Sequence, residues 1–234
     1  MFSLVQEKIL TGLINAQELA YSQARPKDER ISNDLFNYHL QFLVKKGFVE
    51  KKGNLYRLTD RGKKATQIFD AKGNLKDLFK VSILAYVVRD NNGKKEILLQ
   101  QRTRHPYLGD IEVVSGKVNS GEPIELAAKR KLKEETGLIA GFKLIGVYRT
   151  TRRDSKKEII EDPLFHVCFA KNPQGQLLPQ TDFGKNFWGT FGQAIKYQKD
   201  NIAASPCLEK IYKRVQRENF DFFYFQDQTV LTKF

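Results

Sequence analysis

The sequence predicts a chain in two parts: a small helical unit closed by a β-hairpin, then a larger unit of mixed α/β (or α+β) class. Three observations carry this. Residues 1–70 show apolar side chains at three- and four-residue spacing and include two short β-like pieces around Gly53-Asn54. The stretch AKGNLKDLF then gives way to a nearly continuous apolar run, KVSILAYVV, the pattern of a strand buried on both faces. Strand-like and helix-like segments mix from there to the end. The reading places a first domain at 1–72, a linker at 73–79 and a second domain at 80–234.

In the first part, SLVQEKILTGLI and AQELAYSQA read as helices. The polar break RPKDERIS ends in Ser32-Asn33, both good N-cap residues. NDLFNYHLQFLVKKG follows as an amphipathic helix offering Leu35, Phe36, Leu40, Leu43 and Val44 to a core, with Gly47 as its C-terminal cap. FVEKK and LYRLT flank Gly53-Asn54 as a hairpin, and DRGKKATQIFD reads as one more helix.

This layout of helices and a basic hairpin is that of a winged helix-turn-helix. LFNYHLQFLVKKGFVEKKGNLYRLTDRGKK resembles the recognition helix and wing of MarR/ArsR-type regulators, over roughly residues 1–70. The resemblance implies that Asn33, Asn37, Tyr38, His39 and Gln41 face bases in the major groove of double-stranded DNA. Lys45, Lys46, Lys51, Lys52 and Arg57 would then meet its phosphates. Winged helices also serve as dimerisation or protein-docking modules, so a homodimer and a protein partner stand beside DNA. His39 reads equally as a packed core residue.

The composition agrees with a globular chain and names no single site. The net charge of +13 points to polyanionic partners. Residues 1–75 hold 13 Lys/Arg against 8 Asp/Glu, a net +5, which leaves +8 for the remainder. No apolar run approaches the roughly 20 residues that span a bilayer, so no membrane role is expected. The amino terminus lacks the long apolar core of a signal peptide. Cys168 and Cys207 are the two cysteines, far apart and without ligand spacing, as expected of reduced thiols in a cytoplasmic protein. His105 and His166 have no nearby Cys or second His, so the spacing of a zinc site is missing.

The chemistry concentrates in GKVNSGEPIELAAKRKLKEETGL, residues 116–138. Pro123 fits the first turn of a helix of about fourteen residues and Gly137 its end. At about 100° per residue, Lys131, Glu134 and Glu135 share one arc of that helix. Two carboxylates held side by side are costly unless a cation joins them. A hard divalent cation would suit such oxygen ligands and a substrate phosphate. Arg130, four residues before Glu134, can brace it. The glycine-bounded loop offers backbone that a ligand can approach closely.

These residues resemble the signature box of the Nudix hydrolases, G-x5-E-x7-R-E-U-x-E-E-x-G-U, where U is a bulky aliphatic. Gly116, Glu122, Arg130, Leu132, Glu134, Glu135, Gly137 and Leu138 fall on its positions, and Lys131 stands where the box has Glu. The resemblance extends over roughly residues 78–220 and implies a Nudix sandwich, a mixed β-sheet between helices. The implied activity is hydrolysis of a nucleoside diphosphate linked to another group, with Mg²⁺ or Mn²⁺. Carried over by position, Glu134, Glu135 and the Gly116 carbonyl would hold the metal, while Glu122 and Arg130 would orient loop and helix.

Lys131 replaces a negative charge by a positive one, and its ammonium can neutralise Glu134 and Glu135 directly. Ile111, Glu112, Val113 and Val114, just upstream, are a second departure from the family's pattern, and Glu112 could pair with Lys131 or return the lost carboxylate. Glu158, Glu161 and Asp162 are further candidates for a base or ligand. Arg102, Arg104 and Lys117 could grip phosphate, and Trp188, Phe187 or Tyr107 could stack a base. Two functions follow: a metal-dependent Nudix hydrolase carrying a DNA-binding-like domain, or a nucleotide-sensing transcriptional regulator whose Nudix domain is weakened or inactive.

Overall fold

The computed structural model describes residues 2–14, 16–66, 80–103 and 107–231. The chain divides into two compact units, Met1–Leu78 and Phe79–Phe234. The residues read as a linker, 73–79, lie outside the described residues, as does the end of the helix expected over 60–70.

The first unit runs α1 (Leu4–Ile14), β1 (Leu19–Ala20), α2 (Tyr21–Ala24), α3 (Asn33–Lys45), β2 (Val49–Lys52), β3 (Leu55–Leu58) and α4 (Asp60–Thr66). Apolar spacing brings Ile9, Leu10 and Leu13 of α1 against Phe36, Leu40 and Leu43 of α3 in one core with Val49 and Tyr56. Leu35, expected in that core, is 40% exposed instead. The Ser32 Oγ accepts the Leu35 N–H at 3.2 Å and so caps α3. The helix ends where Gly47 takes φ +72°, a left-handed conformation that glycine adopts without strain.

One expected helix is reduced to a single turn. Within residues 16–24, Leu19 and Ala20 pair antiparallel with Tyr56 and Leu55 of β3, and only Tyr21–Ala24 makes a helical turn. So short a segment nucleates helix poorly, and the ladder bonds offered by β3 satisfy its backbone instead.

The second unit runs β4 (Lys80–Asn91), β5 (Lys94–Arg102), β6 (Ile111–Glu112), β7 (Val114–Lys117), α5 (Ile124–Thr136), β8 (Lys143–Arg153), β9 (Ile159–Glu161), β10 (Pro163–Lys171), β11 (Gly184–Thr190), α6 (Phe191–Asp200), α7 (Pro206–Gln216) and β12 (Phe223–Val230). Its mixed sheet is ordered β11-β5-β4-β10-β8-β12. β10 lies parallel to β4 and β12 parallel to β8, whereas β11–β5, β5–β4 and β10–β8 are antiparallel.

The apolar run in β4 explains the layering. Ile83, Ala85 and Val87 point to one face and pack with Ala127, Ala128 and Leu132 of α5. Leu84, Tyr86 and Val88 point to the other and pack with Phe191 and Ala194 of α6 and Ile211, Tyr212 and Val215 of α7. A strand sandwiched in this way has no face to leave polar. Three short pairings complete the frame of the site: Gly116 opposite Ile83, Glu112 opposite Gln100, and Glu161 opposite Arg152.

Candidate active site

The loop and helix of residues 116–138 are held by one guanidinium. Arg130 donates from Nε to Glu122 Oε1 at 2.6 Å and from Nη2 to Glu122 Oε2 at 2.7 Å. Its Nη2 also donates to the Lys117 carbonyl at 3.1 Å, and Nη1 reaches Glu134 Oε2 at 3.3 Å. The expected brace to Glu134 is therefore present, but the closer partner is Glu122. The Asn119 N–H adds a hydrogen bond to Glu122 at 2.9 Å. Together these hold the Glu122 carboxyl down at about 2, with Arg130 the main cause. α5 spans Ile124–Thr136 and stops where Gly137 takes φ +77°.

Lys131 lies inside the site. Its Nζ is 3.1 Å from Glu134 Oε2 and 3.3 Å from Glu135 Oε1. It stands over the Phe183 ring, 5.1 Å from the centroid. The side chain is 16% exposed, and that of Glu135 is 6% exposed. Burial pushes the Glu135 carboxyl above the ordinary range, with Lys131 pulling against it. Burial also acts upward on Glu134, but Lys131 and Arg130 outweigh it and leave that carboxyl lowered. The Glu135 carbonyl accepts from Asn186 Nδ2 at 2.8 Å and from Thr181 Oγ1 at 3.1 Å, which ties the end of the helix to the β11 side of the sheet.

A cleft of about 420 Å³ opens beside this arc. Gly116, Lys117, Lys131 and Glu135 line it together with Arg102 and Glu112. Arg102 Nη1 and Glu112 Oε1 are 3.0 Å apart, so the partner of Glu112 is Arg102 and not Lys131. Burial raises the Glu112 carboxyl, with Arg102 opposing the shift. Of the downstream acids, Glu161 alone lines the cleft. It pairs with Arg152 at 2.8 Å and Lys80 at 2.6 Å and accepts the Tyr107 hydroxyl. Burial acts upward on Glu161, and those bonds bring it below its ordinary value. Asp162 is engaged by Arg149 at 2.8 Å, and Glu158 is exposed.

The other expected site residues divide. Arg104 lies outside the described residues. Trp188 does not line the cleft: it packs against the core on the α5 face, and Arg89 stacks on its ring at 4.3 Å. Phe187 on the next position of β11 packs on the opposite face. Among the described residues, the rings that line the cleft are Tyr107, Phe165 and Phe183. Phe165, Phe183, Lys80 and Arg152 escaped the sequence reading. A cation at an inward position of a strand, as Arg152 is, was the available signal.

In the first unit, Asn33, Asn37, Tyr38, Gln41 and Lys45 are exposed on α3, and Lys46 after it and Lys51 and Lys52 of β2 are exposed too. His39 is half-buried, its Nδ1 3.3 Å from Gln6 Nε2, so its ring belongs partly to the packing of α3 on α1. Arg57 pairs with Glu50 at 2.5 Å.

The NUDIX domain model matches residues 78–211. The chain is 34% identical over 111 residues to an ADP-ribose pyrophosphatase of Methanocaldococcus jannaschii, covering 46% of this chain and 65% of that one. It is 34% identical over 93 residues to Nudix hydrolase 2 of Arabidopsis thaliana, covering 39% and 32%. The matches thus span less than two thirds of these relatives. Among solved structures, a MutT protein from Bacillus halodurans aligns with TM-score 0.52 at 21% identity, over 64% of this chain and 90% of that one. The NUDIX domain of Shewanella oneidensis NrtR, complexed with ADP ribose, aligns with TM-score 0.51 at 17% identity, over 69% and 100%. These two likenesses concern the fold. With the domain model covering more than half the chain, and Gly116, Lys131 and Glu135 of the box lining one cleft, the chain belongs to the Nudix family.

Proposed function

We propose that this chain is a Nudix-type hydrolase of a nucleoside diphosphate joined to a second group, with ADP-ribose as the model substrate and with turnover held low by Lys131. The observation that carries the reading is the cleft itself, where the box helix and loop meet a wall of cations and aromatic rings. Arg102 and Lys117 are suited to phosphate, and Tyr107, Phe165 and Phe183 offer faces to a base or ribose. The ADP-ribose pyrophosphatase of Methanocaldococcus jannaschii, as a relative, supports this substrate class. In the proposed reaction water adds to one phosphorus, the bridging P–O bond breaks, and two monophosphates leave.

Nudix hydrolases generally depend on a divalent cation. The donor set in this conformation does not fit one, because Lys131 Nζ stands between the two carboxylates that would hold it. At an effective dielectric of about 20, charges 4 Å apart interact by about 4 kcal/mol per unit charge, and a dication beside an ammonium doubles that repulsion.

A second reading is favoured by the same ion pairs: a nucleotide-sensing regulator that binds its ligand without consuming it. In either reading the first unit is proposed as a winged helix-turn-helix. The exposed Asn37, Tyr38 and Gln41 on α3 and the lysines of the hairpin support duplex DNA as its partner. A panel of ADP-ribose, nucleoside triphosphates, dinucleoside polyphosphates and nicotinamide dinucleotides, incubated with Mg²⁺ or Mn²⁺, tests the choice. Cleavage by the native chain supports the hydrolase. An inert native chain beside an active Lys131→Glu variant transfers the conclusion to the sensor.

A further inference from the structure

Resting on the reading of the cleft as a nucleoside diphosphate site, we propose that Lys131 is a resident cation that lets the cleft hold its ligand's diphosphate without a divalent metal. Four observations converge. Lys131 Nζ bridges Glu134 and Glu135 at 3.1 and 3.3 Å, the two carboxylates that carry the family's metal positions. Its stem lies along Gly116, so close that a Cβ there would meet Lys131 Cε at 2.5 Å. The Phe183 ring covers the ammonium from another side at 5.1 Å. A lysine packed against backbone, two acids and a ring, and 16% exposed, is seated in the site and not extended into solvent.

Among the described residues, no group of three or more His, Cys, Asp or Glu is placed to hold a metal ion. The cleft is nevertheless not short of positive charge. Lys80, Arg102, Lys117, Lys131 and Arg152 line it against Glu112, Glu135 and Glu161, and Glu134 also pairs with Lys131, which leaves one positive charge in excess among the described residues. A diphosphate that bridges two organic groups carries two negative charges, one on each phosphate. The protein therefore supplies from its own side chains part of the compensation that an acidic cleft must draw from a bound dication. Lys131 is the residue on which this turns, because a glutamate in its place lowers the balance by two.

Calorimetric titration of the full chain with ADP-ribose, in EDTA and in Mg²⁺, tests the assignment, with free-Mn²⁺ paramagnetic resonance as a readout independent of nucleotide. The native chain is expected to bind ADP-ribose within about twofold in the two buffers and to take up no Mn²⁺ in this site. Lys131→Glu should lose at least tenfold in EDTA, recover in Mg²⁺ and gain saturable Mn²⁺ uptake. Lys131→Met, which keeps the stem without the charge, should weaken in EDTA as well, and thermal unfolding of each variant confirms that it is folded. A native chain that needs Mg²⁺ for its affinity, or that takes up Mn²⁺ as well as Lys131→Glu does, overturns the proposal. If neither form binds ADP-ribose in either buffer, the substrate reading falls. The Mn²⁺ comparison then decides the cation by itself: uptake by Lys131→Glu and not by the native chain upholds it, and any other pattern ends it.

Discussion

Gly116 and Lys131 are fitted to one another between β7 and α5. A Cβ on residue 116 would stand 2.5 Å from Lys131 Cε, 2.6 Å from Cδ and 2.7 Å from Cγ, inside the approach distance of non-bonded atoms. Because three successive stem carbons are involved, a small rotation of the ammonium end does not relieve the clash. Gly116→Ala is expected to destabilise the Nudix unit by about 1–3 kcal/mol, the usual cost of overpacking. Lys131→Ala should suppress most of that loss. Urea unfolding of the two single variants and the double variant measures the coupling, and additive losses would show that the residues do not constrain each other.

The Glu122–Arg130 pair predicts a pH dependence. The Glu122 carboxyl lies at about 2 in the folded chain, held down chiefly by Arg130. An unfolded glutamate titrates at about 4.3. A carboxyl depressed by folding contributes stability that is complete above its unfolded value and lost as pH falls toward its folded one. The contribution of Glu122 is thus present at neutral pH and disappears between about pH 4.3 and 2. Glu122→Gln should be less stable than the native chain at pH 7 and converge with it near pH 2. Denaturant unfolding at several pH values reads this directly, and a gap that persists at pH 2 would assign the loss to packing.

The placement of the aromatic rings predicts which substitutions touch the ligand. Phe183 lines the cleft, whereas Trp188 sits on the α5-side core with Arg89 against its outer surface. Base–aromatic stacking is worth about 1–3 kcal/mol, so Phe183→Ala should weaken ADP-ribose binding by roughly 5- to 160-fold if that ring stacks the base. Trp188→Phe should lower the melting temperature and leave affinity within about twofold. Titration calorimetry on both variants distinguishes the two roles, and a large affinity loss from Trp188→Phe would return that residue to the site.

The contrast between these residues explains what was legible beforehand. The box could be read because one helix and one loop set its geometry: Arg130, Lys131, Glu134 and Glu135 keep fixed angles whatever packs around them. The two-sided burial of β4 was equally visible in KVSILAYVV, since a strand with apolar residues at every position must be covered twice. Lys80, Arg152 and Glu161 were harder, because they reach the cleft through pairings between β4, β10, β8 and β9 that no local pattern encodes. Trp188 misled for a related reason. Neighbours on a strand face opposite sides, and which side Phe187 or Trp188 faces depends on the register of β11 on β5. The shortened helix at 16–24 is a tertiary effect too, in which pairing of Leu19 and Ala20 with β3 overrode a weak local preference.

The hairpin of the first unit separates two kinds of cation and so allows a test of the proposed DNA contact. Lys51 and Lys52 are exposed, whereas Arg57 is engaged by Glu50 at 2.5 Å. A side chain that neutralises a DNA phosphate releases condensed counterions, and each such contact contributes about 0.9 to the slope of log affinity against log salt. An arginine already held by a carboxylate must give up that partner first and contributes less. Lys51→Ala and Lys52→Ala should therefore each flatten the slope by about 0.9 on a duplex, and Arg57→Ala should change it by less than half as much. Fluorescence anisotropy from 50 to 300 mM salt supplies the slopes. A flat salt dependence in the native chain removes phosphate contact from the reading and favours a protein as the partner of α3 and the hairpin. Equal slope changes for Arg57 and Lys51 would mean instead that the Glu50–Arg57 pair opens on DNA, and Glu50→Gln should then tighten binding at low salt.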